Sequence, residues 1–157
     1  MVGANAQKYP SLVQEIIAEG HHIGNHTQQH LNGWKTAPAA YLEDVARCAE
    51  FVPSTLFRPP YGRMTRAQAK ALAADYELIM WSLLPGDFDT KATAALCLQR
   101  LEQKTCSGDI IVLHDNLKFE QKIRTILDPL LAFYQSKSFS LAPIPYRERL
   151  NQLRKFE

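Results

Sequence analysis

The sequence predicts an α/β fold assembled from βαβ units, and three observations carry that prediction. Short apolar segments alternate with amphipathic stretches of helical length, the pattern of strands joined by crossover helices in a parallel sheet. Ile110-Ile111-Val112-Leu113 is a continuous apolar run, as expected of a strand covered on both faces. The breaks fall at Gly20, Pro59-Pro60 and Pro85-Gly86, residues that end regular structure. An open doubly wound sheet and a barrel both satisfy this pattern.

Met1 to Ala6 reads as the end of a strand followed by a helix entry. Leu12, Val13, Ile16 and Ile17 then make one apolar helical face, begun after Pro10 and closed by Gly20. His22 to Asn25 is the next short strand. A polar loop with Asn32, Gly33 and Trp34 leads to a helix from about Pro38 to Glu50, supported by Leu42, Val45, Ala46 and Ala49 at i, i+3, i+4 and i+7. Ser54 to Arg58 returns as a strand. Thr65 caps a helix through Ala74, and Glu77 to Trp81 follows as a buried strand.

After the irregular loop at Pro85 to Asp87, Ala94, Cys97, Leu98 and Leu101 recur at helical spacing. The strand Ile110–Leu113 comes next, then a helix from about Phe119 carrying Ile123, Ile126 and Leu127. Asp128-Pro129 resembles an N-cap and first helical residue, so that helix restarts or kinks there. Ser138 to Ala142 reads as a last strand. A terminal helix turns Tyr146, Leu150 and Leu153 inward.

A chain of 157 residues suits a single domain over 1–157 with a core of its own. A net charge of +2 is too small to indicate nucleic acid as a partner. Cys48, Cys97 and Cys106 are odd in number and lack a Cys-x-x-Cys pair, so they read as core thiols. No apolar run is long enough to span a membrane, and residues 1–10 lack the features of a signal peptide. The expectation is a chain without an export signal, its location otherwise unassigned.

The chemistry-bearing stretch is Glu19 to His30. His26 and His30 stand four residues apart, on one face of any helical turn, and that is a metal-ligand spacing. Zinc sites in enzymes commonly use three protein ligands and leave one position for water or substrate. The His-Glu-x-x-His protease helix needs a glutamate after its first histidine. Thr27 stands there instead, which argues against a protease of that type.

Three further segments follow: Phe57-Arg58-Pro59-Pro60-Tyr61-Gly62, then Trp81 to Asp89, then Ile110 to Asp115 with His114 after the apolar run. Together with the histidine pair, this ordered set resembles the polysaccharide deacetylases, carbohydrate esterase family four, over nearly the whole chain. The resemblance implies a distorted (β/α) barrel with its site at the C-terminal strand ends. It implies a hydrolase that removes N-acetyl groups from an amino-sugar polysaccharide such as chitin or peptidoglycan, with a divalent metal, zinc or else cobalt or nickel. Members of the family are often secreted or tied to the cell envelope.

The resemblance also implies roles. His26 and His30 hold the metal while Thr27 orients the backbone beside them. Tyr61 offers its backbone N–H to the oxyanion, and Arg58 pairs with a base aspartate. His114 is the general acid, with Val112 as an apolar wall for the acetyl methyl. Asp87 orients that histidine, Phe88 replacing the usual tryptophan beside it, and Asp89 is a rival for the role. His21 and His22 are given none. The family's first motif, a strand ending in Thr-Phe-Asp-Asp, supplies the base and the third metal ligand. No such segment precedes Val2, and the chain contains no Asp-Asp pair. The sequence therefore reads as an N-terminally truncated deacetylase domain missing its first strand, impaired in activity. The alternative is a non-catalytic remnant that binds glycan without hydrolysing it.

Overall fold

Backbone hydrogen bonds line up a row of extended segments in the first half of the chain. The Met1 carbonyl accepts from the His26 N–H at 2.9 Å, and the Gly3 N–H reaches the Thr27 carbonyl at 2.9 Å. Asn25 bridges Phe57 in parallel. Strand β1 (Leu56–Phe57) pairs in parallel with β2 (Glu77–Leu78), Leu56 opposite Glu77 and Phe57 opposite Leu78. The structure is a computed structural model that describes residues 1–145. The described residues divide into two units, Met1–Met80 with 143–145, and Trp81–Ala142.

Among the described residues, four α-helices accompany the extended row in the first unit: α1 (Gly3–Lys8), α2 (Pro10–Ala18), α3 (Pro38–Ala49) and α4 (Arg66–Leu72). Proline opens α2 and α3, where its missing N–H costs nothing. A reciprocal box of Thr65 and Gln68 caps α4, satisfying two otherwise orphaned donors. One apolar cluster gathers Ala6, Val13, Ile23, Cys48 and Val52. A second gathers Tyr41, Val45, Phe57 and Leu72.

The α3 boundaries agree with the sequence, but its buried stripe does not. Tyr41, Asp44, Val45 and Cys48 face inward, where Leu42, Val45, Ala46 and Ala49 were expected. Tyr41 brings more apolar surface than Leu42, and its ring meets Phe57 edge to face at 6.4 Å. Asp44 turns in because its carboxylate accepts the Gln29 N–H at 3.0 Å.

The second unit is built on α5 (Ala94–Lys104) and α6 (Glu120–Ser136). Cys97, Leu101, Ile126, Leu130 and Tyr134 form its core with Ala92. Thr93 caps α5 through the Leu96 N–H.

Several sequence expectations are corrected. Ile110–Leu113 is half-buried and joins its neighbour only by a parallel bridge between Leu83 and Ile111, so it is not a strand covered on both faces. The expected strands at His22–Asn25, Ser54–Arg58 and Glu77–Trp81 contract to the Asn25 bridge, β1 and β2. The β2 residues are half-buried. The helix does not restart at Pro129, which lies inside α6.

Ser138–Ala142 is not a strand, because its first residues close α6. Ser138 adopts φ +59°, its N–H bonds the Gln135 carbonyl at 3.0 Å, and the Phe139 N–H bonds the Tyr134 carbonyl at 2.9 Å. This is a Schellman cap with serine in the place usual for glycine. Its hydrophobic contact is the edge-to-face pair Tyr134–Phe139 at 5.7 Å. Cys48 and Cys97 are buried as expected, whereas Cys106 is exposed. Tyr146, Leu150 and Leu153 lie outside the described residues. Among the described residues no helix is long and apolar enough to cross a membrane.

Leu101 is fully buried while Leu96, on the same helix, is 37% exposed. Leu101→Ala is expected to cost about 2–5 kcal/mol through lost burial and the cavity left behind. Leu96→Ala should cost well under half of that, and urea unfolding of the two variants checks the difference.

Candidate active site

The two histidines of the first unit converge without a helix. His26 follows the Asn25 bridge, and the chain then turns through two residues with left-handed backbone, Thr27 (φ 63°) and His30 (φ 57°). A β-branched residue rarely adopts that conformation, so the turn must be fixed by its surroundings. Thr27 is fully buried. Its N–H donates to Asn25 Oδ1 at 2.9 Å, and its Oγ1 accepts the Leu31 N–H at 3.1 Å. The Gln28 and Gln29 N–H groups donate to the carbonyl and carboxylate of Asp44. The imidazoles of His26 and His30 consequently meet edge to face with ring centres 4.9 Å apart. The expected helical turn is corrected, since the turn itself brings the rings together.

His26 Nδ1 lies 2.6 Å from the Arg58 carbonyl. A carbonyl can only accept, so Nδ1 carries the proton and the lone pair is on Nε2. Burial, foremost, pulls the His26 pKa down to about 4, and the ring is neutral at neutral pH. A neutral imidazole held through its other nitrogen is the form in which histidine ligates a metal. Two imidazoles sharing a tetrahedral zinc at roughly 2.0–2.1 Å have ring centres about 5 Å apart, and the observed separation fits. Among the described residues no cluster of three His, Cys, Asp or Glu side chains could hold a metal ion.

Arg58 and Tyr61 belong to the segment that follows β1. The Arg58 N–H bonds the Asn25 carbonyl at 3.0 Å, and its guanidinium donates to the carbonyls of Ile79 and Met80 at 3.2 and 3.1 Å. Arg58 thus joins the histidine segment to the end of β2. Its guanidinium partners in the structure are these carbonyls; the base aspartate that the resemblance pairs with it belongs to the family's first motif. Tyr61 turns the chain with φ 60°, followed by Gly62 at 67°. Its ring stands edge to face with His30 at 4.7 Å, a contact that no motif spacing encodes.

In the second unit, Asp87 is fully buried and grips His114 twice. Its Oδ2 accepts the His114 N–H at 2.5 Å, and its carboxylate oxygens lie 3.0 and 3.2 Å from His114 Nδ1. The imidazole is 41% exposed and meets the Phe88 ring edge to face at 5.0 Å. Burial pushes the Asp87 carboxyl up, but the side-chain and backbone N–H groups of His114 outweigh it and the net shift is downward. Asp89 is occupied elsewhere, accepting the Lys91 N–H at 2.9 Å.

His21 lies 3.9 Å from Glu19 on the surface, and His22 Nδ1 lies 2.8 Å from the Ile144 carbonyl. Two residues that hold the histidine turn, Asn25 and Asp44, were not singled out from the sequence. Asn25-His26-Thr27 carries a signal for the first, an asparagine poised to bond the N–H two residues on. Nothing in the spacing of α3 pointed to Asp44.

Comparison with known proteins gives concordant findings. The profile of the family described as polysaccharide deacetylase matches residues 1–79. A peptidoglycan-N-acetylglucosamine deacetylase of Bacillus cereus is 32% identical over 123 residues, 73% of this chain and 57% of that protein. The chain thus spans little more than half the length of that relative. A chitooligosaccharide deacetylase of a Bradyrhizobium species is 25% identical over 171 residues, covering 92% of this chain and 74% of the relative. A solved family 4 carbohydrate esterase from Streptomyces lividans, in complex with acetate, superposes with a TM-score of 0.81 at 21% identity. That match covers 91% of this chain and 76% of the esterase. The shared fold is a distorted (β/α) barrel, as the sequence led us to expect.

Because the folded pKa of Asp87 is depressed, its contribution to stability is complete above the unfolded value of about 3.9. It is lost as pH falls through the lower folded value. Wild-type protein is therefore expected to lose stability relative to Asp87→Asn as pH drops from about 5 to 2. Urea unfolding of both proteins across that range measures the narrowing gap.

Proposed function

The chain belongs to the polysaccharide deacetylase family, and from that premise we propose that it hydrolyses N-acetyl groups on an amino-sugar polymer of the peptidoglycan or chitin type. One observation supports this reading above the others: two imidazoles converge at the separation of a shared divalent ion, one of them neutral and pinned through Nδ1.

His26 and His30 would hold the ion, for which zinc is the first choice and cobalt or nickel the substitutes. A bound divalent ion polarises a carbonyl and makes its water a better nucleophile. Arg58 positions His26 through its carbonyl and is itself fastened to the end of β2. Tyr61, in its left-handed turn, presents its backbone N–H to the oxyanion. His114 takes up at Nε2 the proton that the attacking water gives up and passes it to the departing amine, as water splits the amide into acetate and amine. Asp87 keeps the His114 proton on Nδ1 in the resting ring and so directs Nε2 to the substrate.

A second reading is binding of the same polymer without hydrolysis. It is favoured by the lack of a third metal-binding side chain beside His26 and His30 among the described residues.

Acetate release from a chitin oligomer and from peptidoglycan, with zinc or cobalt in excess, separates the two. Hydrolysis is expected, with His114→Ala slower by about 10²–10⁴-fold, the usual contribution of general acid–base catalysis. Binding of the oligomer with no acetate released would establish the second reading instead.

The ion can be tested without turnover. Cobalt added to the protein should give visible absorption of a low-symmetry site that is lost in His26→Ala and in His30→Ala. Unchanged spectra in both variants would remove the pair from metal binding.

A further inference from the structure

Trp34 is 64% exposed, yet both its backbone and its ring have partners. Its backbone N–H is capped by Asn32 Oδ1 at 3.0 Å, and its indole N–H donates to the Met64 carbonyl at 3.1 Å. The Arg63 guanidinium lies over the ring, 4.9 Å from its centre. The preceding residue presses the turn against the same segment, since a Cβ on Gly33 would stand 2.6 Å from the Arg63 carbonyl oxygen and 2.8 Å from the Met64 Cα. Only glycine fits so close an approach. From behind, the fully buried Gln68 donates to the carbonyls of Gly33 and Thr36.

A single exposed apolar side chain is ordinary. An exposed indole with its orientation fixed by two hydrogen bonds, a cation and a buried amide is a prearranged surface. Prearrangement matters for binding, because ordering a large side chain on contact costs affinity.

The place of the ring suggests its ligand. Trp34 is four residues beyond His30, so their Cα atoms are no more than about 14 Å apart. The segments carrying them touch the Tyr61 segment at two points, His30 on Tyr61 at 4.7 Å and Trp34 under Arg63. Tyr61 is itself 60% exposed. A polymer of amino sugars lying over His26 and His30 extends past this reach within a few units. The C–H face of a pyranose is flat and apolar and its rim is hydroxylated, which matches an indole beside a guanidinium.

We propose that Trp34 is a stacking platform for a sugar ring of a β-linked N-acetylamino-sugar chain, at a subsite beyond the unit presented to His26 and His30. Arg63 supplies donors to the hydroxyls or carboxylates at the rim of that ring. The proposal rests on the deacetylase reading for the identity of the polymer, and its test reads binding, so the two can fail separately.

Trp81 is the other tryptophan, and Trp81→Phe leaves Trp34 as the sole indole reporter. Titrating that protein with N-acetylglucosamine pentamer, and separately with soluble peptidoglycan fragments, is expected to shift the Trp34 emission saturably. The monosaccharide should shift it little. By calorimetry, Trp34→Ala should weaken pentamer binding by about tenfold, equivalent to ~1.4 kcal/mol, with Trp34→Phe retaining most of the affinity. A response to only one polymer assigns the source.

Pentamer binding with an unmoved Trp34 emission overturns the proposal, as does failure of both polymers to bind. Acetate release with unchanged pentamer affinity in Trp34→Ala would overturn it while leaving the deacetylase reading intact. A Trp34 response without any acetate release would do the reverse. Should Trp34→Ala not fold, the emission titration and Trp34→Phe still decide the matter.

Discussion

The left-handed backbone of Thr27 is the constraint on which the first unit turns. For an L-residue that conformation costs roughly 1–2 kcal/mol, and branching at Cβ makes it rarer. It persists because the surroundings over-determine it. The residue is sealed from solvent, Asn25 Oδ1 takes its N–H, Gly3 donates to its carbonyl, and its hydroxyl oxygen takes the Leu31 N–H. Relaxing Thr27 to an extended conformation would redirect the chain toward His30 and break these bonds together. Strain at one residue is thereby converted into the meeting of two imidazoles.

The same economy explains the buried polar residues. Asn25, Thr27, Asp44, Gln68 and Asp87 are all buried, and a buried polar group is costly unless it is bonded; the buried Gln28 departs from this, its amide donating to Gln7 while its Oε1 has no partner among the described residues. Asn25 and Asp44 hold the histidine turn, Gln68 holds the Trp34 turn, and Asp87 holds His114. Apolar clusters stabilise each unit, while the polar interior determines where the loops go. A leucine in the place of Asp44 or Gln68 would preserve the burial and release the loop.

This division accounts for what the sequence disclosed. Helices were legible because their signals are local: Pro10 and Pro38 at the starts of α2 and α3, and Thr65 as the N-cap of α4. The residues of the candidate site were legible because motif order survives where periodicity is weak. The stripe of α3 was misread because Asp44 turns inward for a backbone N–H fifteen positions earlier in sequence, which no helical period encodes. Ser138 was misread for a comparable reason. A β-like run of Ser-Phe-Ser-Leu gives no hint that its first residue closes a helix in the left-handed region. Of the two outcomes read at Pro129 the restart does not occur, because α6 runs on through it, with the packing of Ile126, Leu130 and Tyr134 overriding a local preference.

His26 and His114, the two histidines contrasted in the candidate site, are each pinned at Nδ1, and the difference between their partners separates what they can do. His26 donates to a neutral carbonyl in a buried setting, which supplies no charge to stabilise an imidazolium. Its pKa of about 4 leaves the Nε2 lone pair available at neutral pH, the condition for a ligand. His114 donates to a carboxylate that is itself wholly buried, and its ring reaches solvent. A fixed negative charge at Nδ1 and an accessible Nε2 suit a group that must take up a proton and pass it on. The contrast is set by backbone geometry in one case and by Asp87 in the other. Exchanging the acceptors, a carboxylate behind His26 or a carbonyl behind His114, would exchange the chemistry available to each ring while leaving the sequence motif His-x-x-x-His untouched.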